Sequence, residues 1–473
     1  MGGAAQLRVE GSPIQGLEVV SLPVHRDERG WFKENWQREK MVAAGLPDFR
    51  PVQNNVSFNG PRGTTRGLHA EPWDKYISVL SGEIFGVWVD LRPGHGFGSL
   101  FTAKMGEGQA VFVPRGVANA FQTLASNTVY SYLVTEHWTE AARLEYSYVN
   151  LADPDLDIPW PISLDEAIVS QADKEHPPLA QAKPVQPKKI AVLGGNGQLG
   201  RAFAQLAKSD ERIALYTRAQ TDLQSPGFAA SLDLANCSHV VNAAAMTSVD
   251  RAQTPAGSAE AWQVNAVAVR QLAARCGELG VPLVHVSTDY VFDGAQREVD
   301  ELHPIAPLGV YGQSKAAGEQ AVLAHTGNYV VRTSWVIGQG NNFVSTMRRL
   351  AEQGIAPRVV DDQVGRLTFA SELARGIMHL LDTGSAPGIY HLQGGGEPAS
   401  WYQVAREVFA LCGHDPDAVQ PVSTREYALD RPHLAPRPVN STLDTAKLQA
   451  TGFVPKPLSD LLDQFLGQNR VTS

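Results

Sequence analysis

The sequence predicts two domains of different class: an all-β barrel or sandwich over roughly the first 170 residues, and an open α/β domain over the rest. Three observations carry this. Runs such as YISVLSG, IFGVWVDLR, QAVFVPRG and TVYSYLVTEHW are rich in Val, Ile, Tyr and Phe. Gly, Pro and Asn punctuate them about every 8–12 residues, the rhythm of an antiparallel sandwich or barrel. Later, apolar strands (KIAVLGG, HVVNAAA, PLVHVSTDYVF, NYVVRTSWVIG) alternate with helical stretches such as AEAWQVNAVAVRQLAARCGELG. That alternation argues a parallel sheet with helices on both faces. Between them lies ADKEHPPLAQAKPVQPKK, rich in Pro, Ala, Gln and Lys. The expected organisation is a first domain at 1–176, a linker at Pro177–Lys188 and a second domain at 189–473.

The chain has 473 residues, 43% hydrophobic and 19% charged, enough apolar material for more than one core. Its formal net charge is −9, and no basic cluster stands out, which argues against nucleic acid as a partner. Three cysteines, Cys237, Cys276 and Cys412, form no C-x-x-C pair. An odd, sparse set fits a reducing cytoplasm and not a disulfide framework or a structural zinc site. The N-terminal MGGAAQLRVEGSPIQ lacks the pattern of a secretory signal, and no apolar run is long enough to span a membrane.

In the second half, KIAVL leads into GGNGQLG and then the helical RAFAQLAK. Gly194, Gly197 and Gly200 allow a tight turn, close approach to a pyrophosphate, and helix–strand packing. The helix start adds free N–H groups and the positive end of a dipole. The bland alternative is a flexible turn; the strand before and helix after favour a nucleotide site. The next strand, RIALYTRAQ, ends on Thr217 and Arg218 where NAD sites carry an acid. Arg218 suits a 2′-phosphate, so NADPH is favoured, with NADH the alternative. Tyr311 and Lys315 in YGQSK lie four apart, on one face of a helix. An ammonium near a phenol turns it into a usable proton donor or acceptor. Ser287 and Thr288 end an apolar strand, where open α/β sheets bind ligands. A hydroxyl, a Tyr and a Lys together form a carbonyl-reducing set.

GGNGQLG, NAAAMTSVDRA, VSTDYVFDG, VYGQSKAAGE, RTSWVIG and RPVNSTLD, spanning about 190–450, resemble dTDP-4-dehydrorhamnose reductase, an extended short-chain dehydrogenase/reductase. The resemblance implies a Rossmann fold with a smaller substrate-binding lobe. It implies that Thr288 hydrogen-bonds the sugar ketone, Tyr311 donates the proton and Lys315 holds the nicotinamide ribose. Thr247 and Trp335 would line the sugar pocket, and Gly194, Gly197, Gln198, Leu199, Arg218, Ala243 and Ala244 would hold the cofactor. Met246 stands where the family more often has Tyr, and GRLT at Gly365–Thr368 replaces its G-[ST]-P-T. The reductase half admits a bound Mg2+, but nothing in the sequence demands one.

In the first half, RGLHAEPWDK (Arg66–Lys75) poses a choice: His69 followed by Glu71 is a metal ligand in a weak site, a base, or a structural histidine. DERGWFKENW, VQNNVSFN, TRGLH, WDKYISVLSGEIFGVWVDLR and NLADPDLDIPWP, covering about 20–165, resemble dTDP-4-dehydrorhamnose 3,5-epimerase, a cupin-type barrel or jelly roll. That chemistry needs no metal: a C4 ketone acidifies C3–H and C5–H, and the site moves protons and holds the enolate. A histidine, with an ordinary pKa near about 6.5, suits the base. The resemblance assigns His69 as that base, Asp153 as its orienting carboxylate and Tyr132 as the acid on the opposite face. Tyr130 takes the last role if the register slips. Arg66 and Lys75 would stabilise the enolate and the diphosphate, and Arg29, Phe32, Glu34, Gln53, Asn55 and Asn119 would contact the substrate. Ala70 and Glu71 replace an aromatic and Gln of the family, and Asn119 in GVANAF replaces a second histidine.

The combined expectation is a bifunctional cytoplasmic enzyme. It epimerises dTDP-4-dehydro-6-deoxy-D-glucose, then reduces the C4 ketone to dTDP-L-rhamnose, and pairs as a homodimer through the barrel. The rivals are a non-catalytic barrel on an active reductase, enzymes for a related 4-keto deoxysugar nucleotide, and a metal-dependent cupin dioxygenase.

Overall fold

The computed structural model describes residues 6–140, 142–234, 236–429, 431 and 433–468. The chain divides into two compact units, Met1–Pro187 and Lys188–Ser473. Among the described residues no helix is long and apolar enough to cross a membrane.

The first unit is built of β1 (Arg8–Gly11), β2 (Glu18–Ser21), β3 (His25–Asp27), β4 (Gly30–Phe32), β5 (Gln53–Asn59), β6 (Thr64–Ala70), β7 (Lys75–Ser81), β8 (Ile84–Asp90), β9 (Leu100–Met105), β10 (Gln109–Val113), β11 (Val117–Thr123), β12 (Thr128–Val134), β13 (Ser147–Tyr148) and β14 (Ile168–Val169). One sheet runs β1-β2-β10-β7-β12-β5 and the other β13-β6-β11-β8-β9. This is the jelly-roll arrangement expected of the β rhythm. Edge strand β5 alternates cleanly, with Asn54, Val56 and Phe58 outward.

Strand β8 is buried along its whole length. Its inward side chains Ile84 and Trp88 join the core between the sheets. Its outward Phe85, Val87 and Val89 are covered by Leu151, Leu156, Leu179, Ala182 and Val185. The segment expected to be a linker is therefore corrected: residues 177–187 are a strap on the barrel. The Val185 N–H donates to the Leu91 carbonyl at 2.9 Å. Leaving the outer face of β8 bare would expose a contiguous apolar patch, so the chain folds back over it.

The second unit carries a parallel sheet of β15 (Lys189–Leu193), β16 (Ile213–Tyr216), β17 (Cys237–Asn242), β18 (Leu283–Thr288), β19 (Tyr329–Thr333) and β20 (Gly388–His391), in the order β16-β15-β17-β18-β19-β20. Strand order reverses around β15, which leaves a crevice at the C-terminal ends of β15 and β17. Separate apolar cores cover the sheet. A third, around Val344, Met347, Phe369, Val408 and Leu462, forms the smaller lobe.

Helix α1 (Gln198–Leu206) follows β15, and α2 (Val310–Leu323) packs on β18 and β19. Glu319 on α2 and Arg332 on β19 form a buried bidentate pair, Nε–Oε1 3.0 Å and Nη2–Oε2 2.8 Å. Removing one partner strands the other charge in the core. Arg332→Met is expected to destabilise this unit by about 3–5 kcal/mol, read as a lower urea midpoint. An unchanged midpoint would show that the pair contributes nothing net.

Candidate active sites

The first unit holds a cavity of about 510 Å3 lined by residues including Arg66, His69, Glu71, Lys75, Asn119, Tyr130, Tyr132 and Asp173. His69 on β6 lies opposite Asn119 on β11 and beside Tyr148 on β13. Arg66 and His69 have opposite parity along a strand, yet both reach the cavity. A register shift between Asn119 and Phe121 makes this geometry available. Gly67 sits at φ 121°, and a Cβ there would lie 2.5 Å from that of Ala120, so only glycine fits.

His69 Nε2 is 3.1 Å from Asp173 Oδ1. Asp173 belongs to the short helix Gln171–Lys174, whose first turn is capped by the Ser170 hydroxyl. Burial pushes the Asp173 carboxyl up, but the hydrogen bond and charge of His69 and the Ser170 bond outweigh it and hold it below the usual carboxylate range. Asp153 is corrected: its carboxylate accepts the N–H groups of Leu179 at 2.6 Å and Asp155 at 2.8 Å, and so pins the strap. A buried carboxylate holding two backbone donors is a structural anchor. The His69 partner is a residue the sequence analysis missed. SQADKEHPP looks like the polar approach to a linker, and no local pattern ties Asp173 to a histidine 104 positions earlier.

His176 completes this corner. Its Nε2 is 3.9 Å from Asp173 Oδ1, and burial, then the charge of His69, lower its pKa. One ligand atom each from His69, Asp173 and His176 lie within 4.8 Å of one another, close enough to share a divalent ion.

Lys75 is buried; its Nζ donates to Asn119 Oδ1 at 2.6 Å and pairs with Glu71. Asn119 thus fills the second-histidine position as a holder of Lys75. Glu71, noted only as a departure, is the counter-ion, and it also accepts from Trp73 Nε1 at 3.1 Å. The Tyr132 phenol is pushed up to about 12 by burial and by the Glu71 carboxylate, with Arg66 opposing. It therefore stays protonated at neutral pH, as a proton donor must.

Gln53 and Asn55 lie on β5 and hydrogen-bond each other at 2.9 Å, while Ser57 on the same strand reaches the cavity. Arg29, Phe32 and Glu34 are corrected as regards their own cavity. Arg29 pairs with Asp27, Glu34 pairs with Lys40, and Phe32 is 66% exposed. Hairpin β3–β4 forms its own small sheet and points these groups elsewhere.

In the second unit a cleft of about 220 Å3 is lined by Gly194, Asn196, Gly197, Arg218, Ala243, Ala244 and Met246, among others. Gly194 has φ 86°, and a Cβ there would lie 2.8 Å from the Ala244 N. A Cβ on Gly200 would lie 2.3 Å from the Gly194 carbonyl oxygen. The glycine cradle and the start of α1 fit a dinucleotide pyrophosphate. Of the expected cofactor residues, Gln198 and Leu199 offer the free N–H groups at the start of α1 and not their side chains. The Gln198 amide oxygen accepts the Gly338 N–H at 2.6 Å, and Leu199 is buried in the core beneath the sheet. An amphipathic helix must turn one face inward, and these side chains lie away from the cleft.

Thr288 Oγ1 donates to Asp289 Oδ1 at 2.9 Å and accepts the Tyr290 N–H at 3.2 Å. Burial pushes the Tyr311 phenol above its usual value, with Thr288 opposing. Lys315 Nζ donates to the Val286 carbonyl at 2.7 Å, and burial lowers its pKa to about 8, against the pull of Glu319. Thr247 is exposed at the rim, next to buried Met246. Trp335, at φ 46°, stacks on Trp401 at 3.7 Å between ring centroids, which holds its indole rigid.

Comparison with known proteins matches each unit separately. Residues 11–181 match the family model described as dTDP-4-dehydrorhamnose 3,5-epimerase, and residues 188–470 match the RmlD substrate binding domain. The first unit is similar to the protein RmlC homolog of Streptococcus pyogenes serotype M6, 50% identical over 37% of this chain and 91% of that protein. The second is similar to the dTDP-4-dehydrorhamnose reductase of Mycobacterium tuberculosis, 39% identical over 57% of this chain and 88% of that one. It also superposes on the crystal structure of the Bacillus anthracis reductase in complex with NADP, with TM-score 0.54 and 31% identity, covering 61% of this chain and 100% of that one. The chain therefore belongs to the dTDP-4-dehydrorhamnose 3,5-epimerase family over its first unit and to the RmlD reductase family over its second.

Proposed function

We propose that this chain carries out two consecutive steps of dTDP-L-rhamnose formation: 3,5-epimerisation of dTDP-4-dehydro-6-deoxy-D-glucose, then reduction of the C4 ketone. The observation that carries the reading is a His–Asp pair and a protonated tyrosine in one cavity, on the same chain as a Thr–Tyr–Lys set beside a glycine cradle. His69 takes the proton from carbon, and Asp173 orients the ring and steadies the imidazolium. Lys75 and Arg66 hold the developing enolate oxygen and the diphosphate, and Tyr132 returns a proton from the other side. In the second unit, NADPH when bound supplies the hydride. Thr288, its hydroxyl turned from Asp289, donates to the ketone oxygen, and Tyr311 protonates that oxygen as the alcohol forms. Arg218 takes the 2′-phosphate, and its replacement by Ala is expected to raise the KM for NADPH about 10- to 100-fold and leave that for NADH unchanged, as loss of a charged hydrogen bond does. Equal effects on both cofactors would remove Arg218 from the 2′-phosphate site.

The first test follows deuterium at C3 and C5 by NMR, in D2O with the 4-keto sugar nucleotide and no NADPH. Exchange at both carbons supports the reading, and exchange at one points to a different deoxysugar. No exchange makes the barrel a passenger on a reductase. Loss of exchange on adding a chelator would favour metal chemistry at His69, Asp173 and His176. The outward Phe32, Val56 and Phe58, 66%, 59% and 64% exposed, fit a barrel-to-barrel homodimer. There Arg29, Phe32 and Glu34 would serve the partner's cavity. A light-scattering mass of one chain in solution would end that proposal.

A further inference from the structure

Behind the reductase pair lies a buried polar chain that the mechanism above does not use. Lys315 Nζ is 3.1 Å from His285 Nε2. The other ring nitrogen, Nδ1, is 3.1 Å from Asn242 Nδ2, and Asn242 Oδ1 accepts the Ala244 N–H at 3.2 Å. His285, Asn242 and Lys315 are all buried, at 0%, 1% and 2% exposure.

Hydrogen polarity decides the state of this chain. A backbone N–H only donates, so Asn242 turns its oxygen to Ala244 and its NH2 to His285. Nδ1 of His285 must then carry the lone pair. A neutral imidazole has one N–H, which is left on Nε2 and aimed at Lys315. Burial and the Lys315 charge hold His285 well below its usual pKa, so the ring stays neutral. An ammonium cannot accept this N–H, whereas a neutral amine can, while still donating to the Val286 carbonyl.

We propose that His285 is a positioning residue for the reduction: its Nε2–H hydrogen-bonds the Lys315 amine and so stabilises the state left after Lys315 has given up a proton. The proposal rests on the reading of Tyr311 and Lys315 as the proton-donating pair. As the alcohol forms, the Tyr311 O–H bond breaks and its proton joins the substrate oxygen. The phenolate then takes a proton from Lys315, whose N–H bond breaks to leave the amine. His285 donates to that amine, and water returns the proton between turnovers. The other groups around Lys315 are accounted for. Tyr311 and Glu319 share its helix, Asp289 follows β18, and Arg332 on β19 is spent on Glu319. Gly318 lets this helix pack against Asn265, whose carbonyl oxygen would lie 2.2 Å from a Cβ there.

The test is the pH profile of kcat for NADPH oxidation by the full-length chain, in wild type, His285→Phe and His285→Gln. Reduction needs a protonated Lys315, so the rate falls on the alkaline side. Without the Nε2–H the amine loses a donor, the Lys315 pKa rises, and the limb moves up by about half a unit to one unit, the worth of one hydrogen bond. His285→Gln, which keeps an NH2 donor, is expected to restore the wild-type limb. A limb that stays put or moves down in His285→Phe overturns the proposal, even if kcat falls through poorer packing. Should His285→Phe fail to fold, 15N NMR of the wild type decides the matter. A neutral ring protonated at Nε2 supports the proposal, and one protonated at Nδ1 overturns it. Wild-type rates in Tyr311→Phe would instead refute the proton-donating pair itself.

Discussion

His69→Asn is expected to abolish deuterium exchange at C3 and C5 while reduction of an already epimerised 4-keto sugar continues. Asparagine keeps a polar side chain of similar reach but cannot take a proton. General acid–base catalysis contributes roughly 100- to 10,000-fold, and the exchange rate should drop by that order. Asp173→Asn should cost less, because the base remains and loses only its orienting charge. The same pair sets a pH limit. The Asp173 carboxyl is held below the usual range in the fold, so its ionised form contributes stability above the unfolded value near about 3.9. That contribution is lost as pH falls through the folded value. Melting temperatures of wild type and Asp173→Asn should therefore differ at neutral pH and converge in acid. Undiminished exchange in His69→Asn would sink the assignment of the base.

The mirror-image result is expected for the second unit. Tyr311→Phe removes the proposed proton donor, and NADPH oxidation should fall roughly 100- to 10,000-fold with exchange at C3 and C5 untouched. Burial holds the phenol above its ordinary value, so it is the neutral acid at every pH the enzyme is assayed in. The two sites lie in separate units with their own cores, so their variants should act independently, as sites with no shared partners do. Stopped-flow absorbance reads one activity and NMR the other, in the same sample. If Tyr311→Phe kept its rate, the proton would have to come from another acid. Asp289, which burial pushes up to about 6 and which bonds Thr288, would be the first to examine.

The features legible in the residues themselves are local ones. The glycine spacing of 194, 197 and 200 forms a cradle because turn, strand and helix are adjacent in the chain. Tyr311 and Lys315 share a helix face because helical periodicity is local. The misread residues are those whose partners lie far off in sequence. Asp153 sits in the motif that suggested it, yet its carboxylate anchors the strap at Leu179. Gln198 and Leu199 serve the motif through the backbone at the start of α1, while helix rotation points their side chains at Gly338 and the core. The strap itself carried a readable sign. Leu179, Ala182 and Val185 recur every third residue within the Pro-rich run, and all three pack on the barrel.

The two fold classes, the glycine turn after β15, the helical spacing of Tyr311 and Lys315, and His69 as the residue to explain were all legible in the residues themselves. Each of these rests on residue type at short spacing, where backbone geometry alone sets what meets what. Which carboxylate faces His69, which counter-ion holds Lys75 and which ring stands behind Lys315 are set by the folding of the whole chain. Those contacts join segments such as β6 and the short helix Gln171–Lys174, or β18 and α2, that meet only once apolar faces have packed. A hydrogen bond between them gains only about 1 kcal/mol and leaves no pattern in the chain. Hydrophobic packing places the segments, and the polar partners are matched at whatever distance in sequence that packing dictates.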